Sequence, residues 1–196
     1  ETVALGWALR SYRFARYRQD KGPDFPGMVW PKPCDRGRVE RLAEAIFLVR
    51  DLINTPANGL GPAELADAVE TVAKRNGAGF DQIIGDELLA RGFPAIHAVG
   101  HSSPRAPRLL DVTWGDPDAP LITLVGKGVC FDTGGLDIKP AAAMKLMKKD
   151  MGGAAHALGL ASAIMDAQMS VRLRLLIPAV ENSVSGNALR PHDIIS

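Results

Sequence analysis

The sequence has few cysteines, almost no net charge and no long apolar run, and each shortage argues against a class of protein. Its 196 residues include two cysteines, Cys34 and Cys130, which do not form a CxxC pair. They predict free thiols in a reducing compartment, the cytoplasm, rather than a disulfide framework. No apolar run is long enough to span a bilayer, so we expect no membrane-embedded protein.

Positive and negative charges nearly cancel, with 23 basic and 22 acidic residues. The basic residues cluster once, between Arg10 and Lys21, where aromatic residues are interleaved with them. Such a stretch can bind nucleic acid, but the neutral total favours a solvated segment between two domains. We therefore expect no nucleic-acid partner.

The apolar pattern alternates between helical and strand periods, which predicts an α/β fold. Specifically, we expect a mixed, largely parallel sheet with helices on both faces. The unbroken apolar run 121–125 is typical of a buried parallel strand. Predicted helices cover 1–20, 36–53, 62–75, 86–90 and 152–168, and predicted strands cover 80–85, 108–114, 121–125 and 171–180.

Lysine, aspartate and glycine alternate in one segment, where a core would not hold charges. Residues 125–140 are VGKGVCFDTGGLDIKP, and MKKDMGG follows at 147–153. The segment lies between a predicted strand and a predicted helix, where α/β sheets bind ligands. Asp132 and Asp150 are candidate oxygen ligands of a divalent cation. Alternatively, Asp150 caps the following helix and Asp132 stabilises a glycine turn.

Two lysines in the same segment, Lys127 and Lys139, strengthen the case for a metal site. Beside metal ions, a lysine can lose its proton and become a nitrogen ligand, because nearby positive charge disfavours the ammonium form. A second lysine that keeps its charge can polarise a carbonyl group and stabilise an oxyanion. Alternatively, the two lysines form salt bridges with Asp132, Asp137 or Asp150. For Lys148 we expect no role beyond solvation or pairing with an acidic group.

Two other motifs, a Gly-Lys-Gly sequence and a pair of histidines, are weaker indicators of a ligand-binding site. Gly126-Lys127-Gly128 lacks the upstream glycine and the following Ser or Thr of a phosphate-binding loop. His97 and His101 are four residues apart, like a zinc-binding pair on a helix, but the stretch HAVGH contains no Glu. Its Val-Gly pair and the nearby prolines predict strand and loop. We therefore expect both histidines to lie outside the active site.

With these residues assembled, the chain resembles the leucyl aminopeptidase (cytosol aminopeptidase) family of metal-dependent enzymes. The long Lys-Asp-Gly segment has that family's spacings between Lys127, Asp132, Lys139 and Asp150. Shorter stretches agree along essentially the whole chain: GWAL at 6–9, SYRF at 11–14, LINTPAN at 52–58, PAELA at 62–66, PAVEN at 178–182, SGNA at 185–188 and RPHD at 190–193.

The resemblance implies a metallopeptidase with two divalent metal ions, Mn²⁺ or Zn²⁺. Lys127 and Asp150 would be ligands of one metal, and Asp132 would bridge both. Lys139 would be the catalytic lysine that assists at the scissile carbonyl. Met147 would line the pocket for the first side chain of the substrate. These five residues would together bind the substrate, which is a peptide or an amino-acid amide.

One family motif is missing, because Asn-Thr-Asp-Ala-Glu-Gly-Arg should follow Asp193 closely and the chain ends at Ser196. It would supply further Asp and Glu ligands and the arginine that holds a bicarbonate base. We therefore expect a fragment in which residues 1–33 are an interdomain helix and linker from a missing N-terminal domain. Residues 34–196 would be the N-terminal part of the catalytic domain. Alone, this fragment should bind metal poorly and be inactive.

The implied function is release of an N-terminal residue, preferably leucine-like, by a water activated by two metals. The family also implies a homo-hexamer for the full-length protein. The alternative is a non-catalytic binding protein that keeps the fold. The intact set of four functional residues argues against that alternative.

Overall fold

The computed structural model describes residues 1–19, 25–185 and 188–195. Outside these ranges lie residues 20–24, which include the end of the basic stretch and the first part of the predicted linker. Residues 186 and 187 of the SGNA stretch and Ser196 also lie outside them. The α-helices of the described part are α1 (Thr2–Ser11), α2 (Arg36–Asn54), α3 (Pro62–Arg75), α4 (Glu87–Ala90), α5 (Pro94–Gly100), α6 (Ala141–Met144) and α7 (Gly152–Asp166). The strands are β1 (Gly79–Ile84), β2 (Arg108–Trp114), β3 (Leu121–Val125), β4 (Gly128–Asp132) and β5 (Arg172–Asn182), and 3₁₀ helices cover Ala57–Gly59 and Met147–Lys149.

Local signals account for where α2 and α3 begin, and both predicted helices are confirmed. The Asp35 carboxylate accepts a hydrogen bond from the Arg38 amide at 2.9 Å, which caps α2. At the start of α3, the Glu64 side chain accepts from the Gly61 amide at 2.8 Å, and Pro62 occupies the first turn. None of the helices in the described residues combines the length and apolarity needed to cross a membrane.

The first helix is shorter than predicted, because it ends at Ser11 and not at residue 20. Tyr12 leaves the helical conformation, and its hydroxyl donates to Asp51 on α2 at 2.7 Å. The Arg50 guanidinium donates to the Leu9 carbonyl at 2.9 Å. These bonds to α2 replace the continuation of α1.

The five strands form one mixed sheet in the order β1-β2-β5-β3, with β4 also paired to β5. A mixed sheet was expected, but the prediction that it is largely parallel is wrong. The pairs β1–β2 and β2–β5 are antiparallel and are the two longest, whereas β3–β5 and β4–β5 are parallel. The loop between Trp114 and Leu121 is too short for the crossover that a parallel connection needs.

Helices cover both faces of the sheet, as predicted. Neighbouring residues of β2 show this, because Leu110 packs into the main core while Leu109 packs into a second cluster. The main core joins the sheet to α2, α3 and α7, and the second cluster joins it to α4 and α5. The small residues of α7 allow close packing, since a Cβ at Gly159 would lie 2.6 Å from the Val49 side chain of α2.

β3 and β4 follow one another along the same side of β5, with a break at Gly126 and Lys127. The prediction that residues 121–125 form a fully buried strand is wrong, because Leu121 and Val125 are 59% and 69% exposed. They lie at the edge of the described sheet, where one side of the strand has no neighbouring strand. No strand was predicted from sequence at β4, which directly follows Lys127 and ends at Asp132.

Candidate metal centre

Lys127 lies at the break between β3 and β4, and both flanking positions require glycine. A Cβ at Gly126 would lie 2.6 Å from the Ala154 Cα, and a Cβ at Gly128 would lie 2.6 Å from the Pro178 carbonyl oxygen. Real Cβ atoms do not approach backbone atoms so closely. The Ala154 amide donates to the Lys127 carbonyl at 2.9 Å. The Gly-Lys-Gly sequence thus holds Lys127 tightly against the start of α7.

Asp150, which directly follows the 3₁₀ helix Met147–Lys149, is the partner of Lys127. The Lys127 Nζ and Asp150 Oδ2 atoms are 2.6 Å apart. This Oδ2 is buried and makes no hydrogen bond of acceptable geometry with the described residues, so the contact is a close but poorly directed ion pair. Asp150 does not cap α7, whose N-cap is Met151 and has no side-chain cap. The capping alternative for Asp150 is therefore not what the structure shows.

Asp132 is the last residue of β4, and both of its carboxylate oxygens have partners. Oδ1 accepts from the Gly134 amide at 2.9 Å and from Asn182 Nδ2 at 2.8 Å, and Oδ2 is 3.1 Å from Lys139 Nζ. Burial alone would raise the pKa of Asp132, but the bonds from Gly134, Lys139 and Asn182 outweigh it and hold the pKa below its usual range. Asp132 is therefore a carboxylate at neutral pH.

A glycine turn brings Lys139 back to Asp132. Gly134 and Gly135 have φ angles of 92° and 74°, in the left-handed region that favours glycine. The Lys139 amide donates to the Thr133 carbonyl at 2.9 Å, which closes the turn. Asp132 therefore does stabilise a glycine turn, as the alternative reading expected. The same turn places the Lys139 ammonium group against Asp132.

Met147 and Lys148 lie in the 3₁₀ helix that packs beside β4. The expectation for Lys148 is wrong, because its Nζ donates to the Ile53 and Asn54 carbonyls at 2.7 and 3.0 Å. Burial lowers the pKa of Lys148. The lysine ties this segment to the C-terminal end of α2, where cations interact favourably with free carbonyls. These partners are more than ninety positions apart in sequence, so no local pattern could have revealed the contact.

The predicted site residues thus form two ion pairs at β4, Lys127 with Asp150 and Lys139 with Asp132. No three His, Cys, Asp or Glu side chains form a possible metal-binding group within the described ranges. The chemistry of the donors still suits a divalent cation. Among the described residues, Asp150 Oδ2 is buried without a hydrogen bond, and Asp132 Oδ2 is paired with the Lys139 ammonium. Two carboxylates and an amine are fewer ligands than a closed site needs.

His97 lies on α5 and His101 directly follows its last residue, so the prediction of strand and loop there is wrong. α5 begins at Pro94, a residue that the first turn of a helix tolerates, and contains His97. The His97 and His101 rings stack with centroids 5.7 Å apart, and His97 Nε2 lies 3.0 Å from Asp86 Oδ1. They belong to a surface cluster with Asp86, separate from the two ion pairs.

A buried charge cluster that sequence reasoning missed lies beside the site, and we call Arg105, Glu181 and Arg190 the Glu181 cluster. Glu181 is 1% exposed, and its oxygens lie 3.7 Å from Arg105 Nε and 3.3 Å from Arg190 Nε. Burial raises the pKa of Glu181 although both arginines lower it. The cluster holds the end of β5 directly before Asn182, the residue that contacts Asp132.

Known proteins resemble this chain in sequence and in fold. The family model described as "Cytosol aminopeptidase family, catalytic domain" matches residues 47–196. A protein of Syntrophotalea carbinolica named "Probable cytosol aminopeptidase" is 38% identical and aligns with the whole chain. The crystal structure of cytosol aminopeptidase from Coxiella burnetii is 54% identical, with a TM-score of 0.88 over 97% of the chain.

A second solved structure, the bottromycin maturation enzyme BotP in complex with Mn, is 36% identical with a TM-score of 0.84 over 97% of the chain. The chain spans about two fifths of these relatives, 42% of the Syntrophotalea protein and 41% of each solved chain. The family match covers well over half of the chain. The chain therefore belongs to the cytosol aminopeptidase family.

Proposed function

We propose that the protein containing this chain is a metal-dependent aminopeptidase that releases N-terminal residues, preferably leucine-like, from peptides or amino-acid amides. The observation that carries the proposal is the arrangement at β4. Two lysine–aspartate pairs, Lys127 with Asp150 and Lys139 with Asp132, lie at this strand in a chain of the cytosol aminopeptidase family. Ion pairs of this kind also occur in purely structural settings, so the family membership of the chain is what favours a metal site here.

Lys127, Asp132 and Asp150 are the residues proposed to hold two divalent ions, Mn²⁺ or Zn²⁺. Bound metals would polarise the scissile carbonyl and supply a water of lowered pKa. The relative BotP is in complex with Mn, which supports this metal class. To become a ligand, Lys127 must lose its proton, and its side chain is 58% exposed, so solvent can accept that proton. Asp150 Oδ2 is already buried and lacks a hydrogen bond among the described residues.

Lys139 is proposed to act on the substrate as a cation. Its Nζ pairs with Asp132 Oδ2 at 3.1 Å, which holds the lysine side chain at the end of β4. A charged lysine aimed at the scissile carbonyl would stabilise the oxyanion that forms there. Met147, half-buried in the 3₁₀ helix beside β4, is proposed to line the pocket for the first side chain of the substrate.

The remaining parts of the proposal concern the whole protein. We propose that residues 1–33 join this domain to an N-terminal domain and that residues 34–196 begin the catalytic domain. A downstream motif would add Asp and Glu ligands and an arginine for bicarbonate, so the 196-residue chain alone would be inactive. A cytoplasmic homo-hexamer is proposed for the full-length protein.

The test is hydrolysis of leucine amide by the complete product of the gene in the presence of Mn²⁺. Lys139→Ala should lower turnover by on the order of a hundredfold or more, because the oxyanion loses its stabilising charge. Lys145→Ala is the matched control, since Lys145 is exposed and should leave turnover unchanged. Turnover unaffected by Lys139→Ala would remove Lys139 from the mechanism. No hydrolysis by the complete product would reject the proposed function.

A further inference from the structure

Asn182 is the last residue of β5 and lies directly opposite Asp132, the last residue of β4. The two strands are parallel and in register at this point, so both side chains extend from the same end of the sheet. Among the residues described, Asn182 is the uncharged side chain that donates to the Asp132 carboxylate, at 2.8 Å. Sequence reasoning did not single it out, since 50 positions separate the two residues.

Asn182 is itself held firmly in place. Its backbone carbonyl accepts from the Thr133 amide at 2.9 Å and from the Thr133 hydroxyl at 3.0 Å. On the other side, a Cβ at Gly135 would lie 3.3 Å from Asn182 Oδ1, so the glycine turn packs close to the amide. Glu181, the preceding residue, is anchored between two arginines. The Asn182 amide therefore has little freedom to move away from Asp132.

The two oxygens of Asp132 consequently have different surroundings. Oδ1 accepts two hydrogen bonds, from Asn182 and from the Gly134 amide, whereas the partner of Oδ2 within the described residues is the Lys139 ammonium. Two neutral donors on Oδ1 fix the rotation of the carboxylate about its Cβ–Cγ bond. Oδ2, which accepts no bond from a neutral donor among the described residues, is the oxygen more available to a cation.

We propose that Asn182 is a positioning residue that orients the Asp132 carboxylate for binding a divalent metal. The inference rests on the proposed function, because it assumes that Asp132 is a metal ligand. An asparagine suits this task since its Nδ2 donates without adding charge. Residues that hydrogen-bond a ligating carboxylate typically contribute about 10–100-fold to metal affinity. Asn182 would then act through Asp132 without touching the metal or the substrate.

The experiment titrates Mn²⁺ into the complete gene product and measures free Mn²⁺ by electron paramagnetic resonance. Asn182→Ala should weaken Mn²⁺ binding about tenfold or more. Asn182→Ser, a smaller side chain that keeps a donor, should recover part of the affinity. Asn76→Ala is the matched control, because Asn76 also donates one amide hydrogen bond, to the Val72 carbonyl, but at the end of α3. It should leave Mn²⁺ affinity unchanged.

A merely structural role for Asn182 would lower the urea midpoint of the metal-free protein, as in Asn76→Ala, with no effect on Mn²⁺ affinity. That result overturns the inference. The Asp150→Asn variant distinguishes the absence of a positioning role for Asn182 from failure of the proposed function. If Asp150→Asn weakens Mn²⁺ binding and neither Asn182 variant does, Asn182 has no positioning role although the metal site stands. If the parent binds no Mn²⁺, or Asp150→Asn binds as tightly as the parent, the metal site and the inference both fall.

Discussion

Replacing Arg105 with alanine should destabilise the fold strongly, because it removes one of two cations that flank a fully buried carboxylate. Glu181 is 1% exposed, and Arg105 Nε lies 3.7 Å from its Oε2. The Arg105 guanidinium also donates to the Ala57 carbonyl at 2.7 Å and to the Asn58 carbonyl at 3.0 Å. The variant would therefore lose an ion pair and two hydrogen bonds together.

The magnitude follows from what remains after the substitution. Breaking a buried ion pair costs about 3–5 kcal/mol. Arg190 stays 3.3 Å from Glu181 Oε1, and the Arg105 side chain is 26% exposed, so the lower end of that range applies. The bond to Asn58 is exposed and the bond to Ala57 is partly buried, so the loss of both hydrogen bonds adds about 1 kcal/mol. We expect the free energy of unfolding to fall by about 3–4 kcal/mol.

The assay is urea unfolding followed by circular dichroism, at about pH 8, well above the usual range of a glutamate pKa. Arg36→Ala is the matched control, because the Arg36–Glu40 pair is exposed and should contribute at most about 1 kcal/mol. In a Glu181→Gln background, Arg105→Ala should cost clearly less, since the buried charge is gone. A loss below about 1 kcal/mol, or the same loss in both backgrounds, would refute the reasoning.

Two further stability predictions follow from burial. Leu158→Ala should lower the free energy of unfolding by about 2–5 kcal/mol, because it leaves a cavity in the main core. Leu160→Ala, at a 51% exposed position, should change the free energy of unfolding by at most about 0.5 kcal/mol. Urea unfolding measures both, and equal losses would contradict the core assignment. Burial raises the pKa of Glu181, so the folded state keeps a proton that the unfolded state has lost. The stability of the parent relative to Glu181→Gln should therefore decrease as pH rises from the ordinary glutamate pKa of about 4.3 to the folded value, and stay constant above it. Urea midpoints of both proteins across this window measure the trend, and a difference that grows with pH would mean that the arginines outweigh burial.

Local signals were sufficient where local interactions decide the structure. Asp35 caps α2 and Pro62 occupies the first turn of α3, and the predicted helices 36–53 and 62–75 are confirmed. α5 was missed because Val and Gly within it resemble strand and turn residues. Its Pro94, read as a breaker, occupies the first turn of the helix.

Strand direction and strand neighbours were harder to predict, since both depend on contacts between distant segments. The run at 121–125 is apolar enough for a buried strand, yet Leu121 is 59% exposed at the edge of the described sheet. β4 was not predicted from the sequence because Gly128 and Asp132 are unfavourable in an average strand. The short connection after Trp114 was the available sign that the chain reverses between β2 and β3.

At the candidate site, sequence spacing selected Lys127, Asp132, Lys139 and Asp150, and the structure joins them in two ion pairs. The salt-bridge alternative named these same partners, so the pairs alone do not separate a metal site from a structural one. Asn182 and the partners of Lys148 could not be predicted, because these contacts link remote parts of the chain. The Asn182 bond to Asp132 spans 50 positions.

A crystal structure of the complete gene product grown with Zn²⁺ tests the central claim most directly, through the anomalous signal of the metal. The account predicts a zinc peak beside β4, within bonding distance of the Lys127 amine and the Asp132 and Asp150 carboxylates. It also predicts that the Lys127–Asp150 ion pair, now 2.6 Å long, is replaced by bonds to the metal. Intact ion pairs at saturating Zn²⁺, with no metal beside β4, would contradict the account.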